Sequence, residues 1–172
     1  MTIRQATDED WDAIWAIWEP IVRAGETYTY PPDTDYHTAR RLWMETPQHT
    51  YIAQIDETVV GTYYIKPNQP DGGSHVCNCG YMVAPAMRGK GIARAMCDHS
   101  LNEAKRLGYR AMQFNFVIAT NITAIALWER CGFETVGRLP GAFHHPARGY
   151  VDALVMYKQW DNVAGAASKS ML

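Results

Sequence analysis

The chain of 172 residues has 16 basic and 18 acidic side chains, and 47% of its residues are hydrophobic. This length and composition fit one domain with a substantial core and exclude an intrinsically disordered chain. The net charge of −2 argues against nucleic acid or an anionic membrane surface as a partner. No apolar run approaches the roughly 18 residues of a membrane span, and the four cysteines do not resemble a secreted disulfide framework. We therefore expect a soluble, cytoplasmic protein.

The first half of the chain alternates between strand and helix patterns. Apolar residues recur every three to four positions from Trp11 to Val22, which predicts a helix capped by Thr7 or Asp8. Residues 25–36, here called the tyrosine-rich loop, have turn-forming composition. The other predicted elements are strands at 2–6, 50–56, 58–65 and 74–84, an amphipathic stretch at 36–45 and a loop at 66–73.

In the second half of the chain, the apolar pattern predicts two helices that alternate with strands. From Arg88 onward the apolar period is helical, and Gly108 ends it. This alternation of strands and helices, with hairpins at both ends, indicates an α/β domain with a mixed sheet. We expect a strand at 110–118, a helix at 121–131, a strand pair at 133–137 and 150–157 around a long loop at 138–149, one domain over 1–160 and a flexible tail at 161–172.

The segment 83–93 lies between a predicted strand and a predicted helix and contains two glycines. Backbone N–H groups at a helix N-terminus are unpaired and carry partial positive charge, so they bind phosphate groups. Arg88 and Lys90 add positive charge. The segment does not match a Walker A loop. It is not a GxGxxG motif either, since Arg94 stands where the third glycine would be. The alternative is an ordinary helix start with solvated basic residues.

Two motifs carry a resemblance to a known family. Arg88, Gly91 and Ala93 follow a strand that ends in V-x-P, which resembles the pyrophosphate-binding motif of the GCN5-related N-acetyltransferase (GNAT) superfamily. The pattern N-x-x-A-x-x-L-W-x-x-x-G-F at 121–133 resembles the second motif of that family, at the family's spacing. The element order fits from residue 2 to residue 158. The resemblance implies a mixed, mostly antiparallel central sheet with splayed central strands, flanked by helices.

The resemblance also implies acetyl-CoA as cosubstrate and an amine as the acetyl acceptor. The backbone N–H groups of residues 88–93 would hold the pyrophosphate. Pantetheine would pair like an extra strand with the backbone of residues 81–83. The residues implied at the acetyl-CoA site are Tyr81, Met82, Val83, Arg88, Gly89, Lys90, Gly91, Ile92, Ala93, Asn121 and Trp128.

The chain departs from the family pattern at one catalytic position. The family usually has a tyrosine after Leu127 that protonates the departing thiolate; here the residue is Trp128, whose indole N–H is not a usable acid. A thiol pKa of roughly 8.5 makes the thiolate a tolerable leaving group unassisted, so no residue is assigned this role. Glu26 is the first choice for the base, because its loop resembles that of phosphinothricin-type acetyltransferases. The alternatives for the base are His75 and ordered water. The alternative for Glu26 is an exposed carboxylate without a catalytic role.

Two asparagines lie within predicted central strands, where a buried amide is costly unless its hydrogen bonds are used. Alternation places Asn78 opposite the cysteines of its strand, and it places Asn115 opposite Phe114 and Phe116. The combination of these two asparagines with Asn121 resembles the one in acetyltransferases that act on the proline analogue azetidine-2-carboxylate. The corresponding asparagines line the acceptor and acetyl sites there. The alternatives are structural amides and, for Asn121, a helix N-cap.

The residues predicted to bind the acetyl acceptor are aromatic and basic. Tyr28 and Tyr30 of the tyrosine-rich loop would line the acceptor pocket, and Arg148 would pair with a substrate carboxylate. An exposed turn is the alternative for Arg148. Cys77 and Cys79 share a strand face and lack the spacing of a zinc knuckle, so no metal is expected.

Three functions remain open. The first is a detoxifying N-acetyltransferase of small-molecule amines or amino acids, which the modest net charge and the tyrosine-rich loop favour. The second is a protein N-terminal or lysine acetyltransferase. The third is a non-catalytic sensor that binds acyl-CoA. The resemblance also allows a homodimer, since dimers are common in the family.

Overall fold

The computed structural model describes residues 1–160, and the predicted tail at 161–172 lies outside the described residues. One sheet contains β1 (Thr2–Gln5), β2 (His49–Ile55), β3 (Thr58–Pro67), β4 (Val76–Val83), β5 (Ala111–Ile118), β6 (Glu134–His145) and β7 (Gly149–Gln159). The helices are α1 (Trp11–Ala24), α2 (Tyr36–Arg40), which a π-helical turn continues (Arg41–Glu45), α3 (Ile92–Arg106) and α4 (Ile122–Arg130). Within this part of the chain, no helix is long and apolar enough to cross a membrane.

The strands follow the order β1-β2-β3-β4-β5-β7-β6, and only the central pair β4–β5 is parallel. This mixed, mostly antiparallel sheet flanked by helices confirms the predicted fold class. Parallel neighbours need a crossover, which α3 provides. The register between β4 and β5 covers only Val76↔Ala111 and Cys77↔Met112, so the two strands separate beyond that point, as predicted.

Two hydrophobic clusters lie on opposite faces of the sheet, because side chains alternate along each strand. On β2, for example, Tyr51 belongs to the cluster under α3 and α4, and Ile52 belongs to the cluster under α1 and α2. Trp11 and Trp18 are buried in the second cluster, and Trp15 packs against it partly buried. The helical spacing of these tryptophans therefore reports core packing, as predicted.

An ion pair and a capping box hold the 3₁₀ turn Asp8–Asp10 that leads into α1. The two carboxylate oxygens of Asp10 accept hydrogen bonds from the Arg4 guanidinium at 2.8 Å each. The Thr7 backbone N–H donates to Asp10 at 2.7 Å. The Arg4 hydrogen bond, followed by those from Thr7, lowers the pKa of Asp10 from its usual 3.8 to about 2.

Asp10→Asn should lower the free energy of unfolding by about 1–2 kcal/mol at neutral pH, because it removes the charged partner of Arg4 and weakens the cap. Since folding lowers the pKa of Asp10, its contribution is complete above the unfolded pKa of 3.8 and is lost as the pH falls to about 2. Thermal unfolding should show a Tm difference between the two proteins that closes below about pH 4. A difference unchanged at pH 2 would contradict a role for the carboxylate charge.

The C-terminal hairpin differs from the prediction. Residues 138–149, expected to form a long loop, belong mostly to β6, and the turn is confined to 146–148. A register shift between Leu139 and Phe143 accommodates the Pro-Gly pair at 140–141. Proline and glycine usually signal a turn, but a bulge tolerates both within a strand. The predicted loop is therefore wrong.

Candidate active site at the fork between β4 and β5

β4 and β5 are paired only at their N-terminal ends. Just beyond the last pair, Nδ2 of Asn78 donates to the Gln113 carbonyl of β5 at 2.9 Å. This bond joins the two strands where the backbone register ends. The space between residues 79–83 of β4 and residues 113–118 of β5 is called the fork below.

The backbone of β4 directs alternate hydrogen-bonding groups into the fork. In antiparallel pairing, every second residue bonds to the neighbouring strand. The Ala84 N–H donates to the Val60 carbonyl at 2.9 Å, and the register between β3 and β4 is unbroken. Even-numbered residues of β4 therefore bond to β3, and the N–H and C=O groups of Tyr81 and Val83 point into the fork. A free strand edge of this kind binds an extended chain of amide groups.

A glycine-containing loop lies at the open end of the fork. A 3₁₀ turn at Pro85–Met87 precedes Gly89 and Gly91, whose φ angles are 76° and 78°. Gly91 is the N-cap of α3, and a Cβ built on it would meet no atom within 4 Å. Arg88 and Lys90 are exposed. The loop thus presents the first N–H groups of α3 to open space, with two cations beside them.

Other residues predicted at the acetyl-CoA site have side chains that pack in the core or cap a helix. Met82 and Ile92 are 2% and 1% exposed, and each packs in a core cluster. Their contribution to a ligand, like that of Ala93, would come from the backbone. Oδ1 of Asn121 accepts from the Ala124 N–H at 3.2 Å, which makes Asn121 the N-cap of α4. The N-cap role of Asn121 is therefore confirmed, and a role toward CoA stays a prediction.

Trp128 covers the fork on the side of α4. Its ring lies 5.0 Å from the rings of Tyr81 on β4 and Phe114 on β5, between centroids. The Tyr81 hydroxyl lies 2.6 Å from Oγ of Ser100, which itself donates to the Cys97 carbonyl. Tyr81 therefore donates to Ser100, away from the fork. Burial raises the pKa of Tyr81 well above its usual value.

The side under α1 and α2 is more polar. Asn78 is 7% exposed, and its Oδ1 accepts from the Tyr64 hydroxyl at 3.0 Å. The Tyr64 ring lies over Gly80, where a Cβ would stand 2.6 Å from Cε1. Glycine is thus required for this approach. With two bonds made to Tyr64 and Gln113, the Asn78 amide retains one N–H and one lone pair.

Tyr28 reaches the fork from the tyrosine-rich loop. Its hydroxyl donates at 2.8 Å to the Tyr81 carbonyl, one of the groups that point into the fork. Its ring stacks on Tyr30 at 5.7 Å with an interplanar angle of 7°, and it meets Trp43 edge-on at 6.0 Å. Burial raises the pKa of both Tyr28 and Tyr30. Both are therefore neutral phenols at physiological pH.

An open depression of about 180 Å³ adjoins Tyr28. Phe143 and His144 of β6 form its second wall. Glu26 is exposed in the tyrosine-rich loop, and Arg148 is exposed in the turn between β6 and β7. Neither is among the lining residues, which are Gly25, Tyr28, Thr29, Tyr30, Pro31, Pro32, Phe143 and His144.

A bulge in β5 changes the interpretation of Phe116. The register with β7 shifts between Phe114 and Val117, and both of these residues enter the cluster under α3 and α4. Phe116 instead packs on Phe143 at 6.4 Å between ring centroids. The prediction that Phe114 and Phe116 share a face is wrong, because alternation is broken at a bulge. Sequence reasoning therefore missed Phe116, and no residue of the F-N-F-V run marks the bulge.

Asn115 is exposed at the same bulge. Its Nδ2 donates to Oδ1 of Asn68 at 2.7 Å, and its Oδ1 accepts from Nε2 of Gln113 at 2.9 Å. Gln113 thus contacts both predicted asparagines, through its carbonyl to Asn78 and through its side chain to Asn115. Sequence reasoning assigned Gln113 no role. The available signal was strand alternation, which places Gln113 on the same face of β5 as Asn115.

Histidines and cysteines do not gather into a metal site. In the described range 1–160, no group of three His, Cys, Asp or Glu residues could hold an ion. Cys77 and Cys79 are buried and free, as are the other two cysteines. They pack as apolar residues in the cluster under α3 and α4.

The chain is similar to N-acetyltransferases of known sequence and structure. N-acetyltransferase aca1 of Schizosaccharomyces pombe is 43% identical over 106 residues, or 60% of this chain and 51% of that protein. The chain thus spans about half the length of this curated relative. A phosphinothricin acetyltransferase from Sinorhizobium meliloti, solved in complex with AcCoA, shares the fold with a TM-score of 0.81. It is 23% identical, over 99% of this chain and 92% of its own.

A GCN5-related N-acetyltransferase from Kribbella flavida is more similar in sequence. Its structure matches with a TM-score of 0.88 and 44% identity, over 92% of this chain and 97% of that chain. The model of the acetyltransferase (GNAT) family matches residues 11–133, which include the glycine-containing loop and both arms of the fork. The predicted resemblance is thus confirmed, and this chain belongs to the acetyltransferase (GNAT) family.

Proposed function

We propose that this protein is an N-acetyltransferase that transfers acetyl from acetyl-CoA to the amine of a small molecule or amino acid, by direct attack in a ternary complex. The fork carries the proposal, because a free strand edge leads to an anion-binding loop. Pantetheine would pair with the backbone of Tyr81 and Val83, and pyrophosphate would bind the N–H groups of residues 88–93. The AcCoA complex of the S. meliloti neighbour supports this donor.

The transfer requires a neutral amine, a stabilised oxyanion and a departing thiolate. The Tyr81 N–H would donate to the thioester carbonyl, where negative charge develops in the tetrahedral intermediate. The remaining N–H of Asn78 and the amide of Asn115 would act as further side-chain donors there. Glu26 would take the proton of the incoming ammonium, directly or through water, because its loop also carries Tyr28 to the fork.

A small, partly apolar acceptor fits the depression beside Tyr28. Tyr30 and Phe143 would form apolar walls, and Arg148 would pair with a carboxylate of an amino-acid acceptor. The name of the phosphinothricin acetyltransferase neighbour supports a small-molecule acceptor. Acetylation of toxic amino-acid analogues in the cytoplasm is the role that we propose.

A thiol-release assay with acetyl-CoA and a panel of amines tests this function. The panel contains proline analogues, methionine sulfoximine, common amino acids, and peptides with a free N-terminus or a lysine. We expect turnover with a small amine and none with the peptides. Turnover confined to peptides would indicate a protein acetyltransferase. Binding of acetyl-CoA without turnover on any amine would indicate a sensor, and either result would contradict the proposal.

A further inference from the structure

The hydroxyl groups around the fork point in different directions. The Tyr81 hydroxyl donates to Ser100 on the far side of its strand, and the Tyr64 hydroxyl donates to the Asn78 side chain. The Tyr28 hydroxyl alone, among these three, bonds to a backbone atom that faces the fork. Trp128, which covers the other side, offers only an indole N–H, which is not an acid.

The position of the Tyr28 hydroxyl follows from the separation of β4 and β5. The Tyr81 carbonyl points to where an N–H of a paired strand would lie, and no strand pairs there because the β4–β5 register has ended. The hydroxyl occupies that place at 2.8 Å. A carbonyl oxygen has two lone pairs, so an amide that pairs with Tyr81 can share the oxygen or release the hydroxyl into the fork.

Aromatic packing holds the Tyr28 ring. Tyr30 stacks on one face, and Trp43 meets it edge-on. Burial keeps the phenol protonated, because it raises the pKa of Tyr28 well above its usual value. The group is therefore fixed at the fork with its proton in place.

We propose that Tyr28 is the catalytic residue that delivers a proton to the departing sulfur of CoA. The inference rests on the proposed function, since it needs the thioester in the fork. Tyr28 approaches from the side of the acceptor depression, so its hydroxyl can face both the sulfur and the attacking nitrogen, which are bonded to one carbon in the tetrahedral intermediate.

The transfer conserves protons and electron pairs. The ammonium loses one proton to Glu26 or water, and the neutral nitrogen forms the N–C bond. The C–S bond then breaks with its electron pair on sulfur. Sulfur takes the phenolic proton of Tyr28, and the phenolate takes the second proton from nitrogen. The products are the amide, the CoA thiol and one released proton, and Tyr28 is regenerated.

Tyr28→Phe tests this role, because phenylalanine keeps the ring packing and removes only the hydroxyl. We expect kcat for thiol release to fall by roughly 10²-fold, with the acetyl-CoA Kd from calorimetry and the amine KM unchanged. Tyr63→Phe is the matched control. It also removes a phenol bonded at 2.7 Å, to Nδ1 of His99, but on the face under α3. It should retain the kcat of the unsubstituted protein.

Two results would overturn the inference about Tyr28 without overturning the proposed function. One is an unchanged kcat in Tyr28→Phe, and the other is a loss confined to the amine KM, which would make Tyr28 a wall of the acceptor site. If Tyr28→Phe does not fold, Tyr28→3-fluorotyrosine gives a more acidic phenol and should raise kcat, whereas an unchanged kcat contradicts the role. Absence of thiol release by the unsubstituted protein with every amine would instead overturn the proposed function.

Discussion

Gly91→Val should weaken acetyl-CoA binding roughly 10²-fold or more in calorimetry, because it removes charge-assisted hydrogen bonds to the pyrophosphate. The valine side chain would project into the open space outside the loop, where no atom lies within 4 Å of a Cβ at this position. A φ of 78° is also strained for a β-branched residue, so the N–H groups at the start of α3 would shift.

Gly108→Val is the matched control at the other end of α3. Gly108 has a φ of 87°, and a Cβ there would also meet no atom within 4 Å. Both substitutions should cost about 1–2 kcal/mol of backbone strain, so the two variants should unfold at similar temperatures. Gly108→Val should bind acetyl-CoA like the unsubstituted protein. Equal affinity of the two variants would contradict the anion-binding role of the loop.

Asn115→Ala should reduce kcat by about 10²-fold and leave the acetyl-CoA Kd unchanged, because it removes a donor that acts only as charge develops. Its side chain is exposed beside the fork and bonds to Asn68 and Gln113, both through exposed or half-buried amides. Loss of these two bonds should change the unfolding temperature little, since exposed hydrogen bonds contribute little net stability.

Asn68→Ala separates a catalytic amide from a structural one. It breaks the same 2.7 Å bond between Asn68 and Asn115, but it leaves the Asn115 amide in place. We expect kcat to be retained, because the freed Nδ2 of Asn115 can still reach a ligand. An equal loss of kcat in Asn68→Ala and Asn115→Ala would show that the pair is only structural.

Local patterns predicted the elements that frame the site. The spacing of Trp11 and Trp18 predicted the buried face of α1, and strict alternation along β4 placed Asn78 opposite the cysteines, as the two core clusters confirm. The strand–glycine–helix order around Gly91 predicted the loop, and the structure adds that Gly89 and Gly91 adopt the left-handed conformation. These features depend on near neighbours in the chain, which is why periodicity and turn chemistry reveal them.

Irregular strands and long-range hydrogen bonds could not be predicted in this way. Phe116 faces Phe143 because a bulge adds a residue to β5, and the bulge is set by pairing with β7 rather than by local composition. The bond from Tyr28 to the Tyr81 carbonyl joins residues 53 positions apart. It exists only because the ends of β4 and β5 separate, which is a property of the assembled sheet.

We propose that the fork holds the thioester of acetyl-CoA, and the crystal structure of the complex would locate this group. We expect pantetheine to be hydrogen-bonded to the backbone of Tyr81 and Val83 and the pyrophosphate to lie on the N–H groups of residues 88–93. The acetyl group should lie between Asn78 and Tyr28. Acetyl-CoA bound elsewhere, with no hydrogen bond from pantetheine to the backbone of Tyr81 or Val83, would contradict this placement.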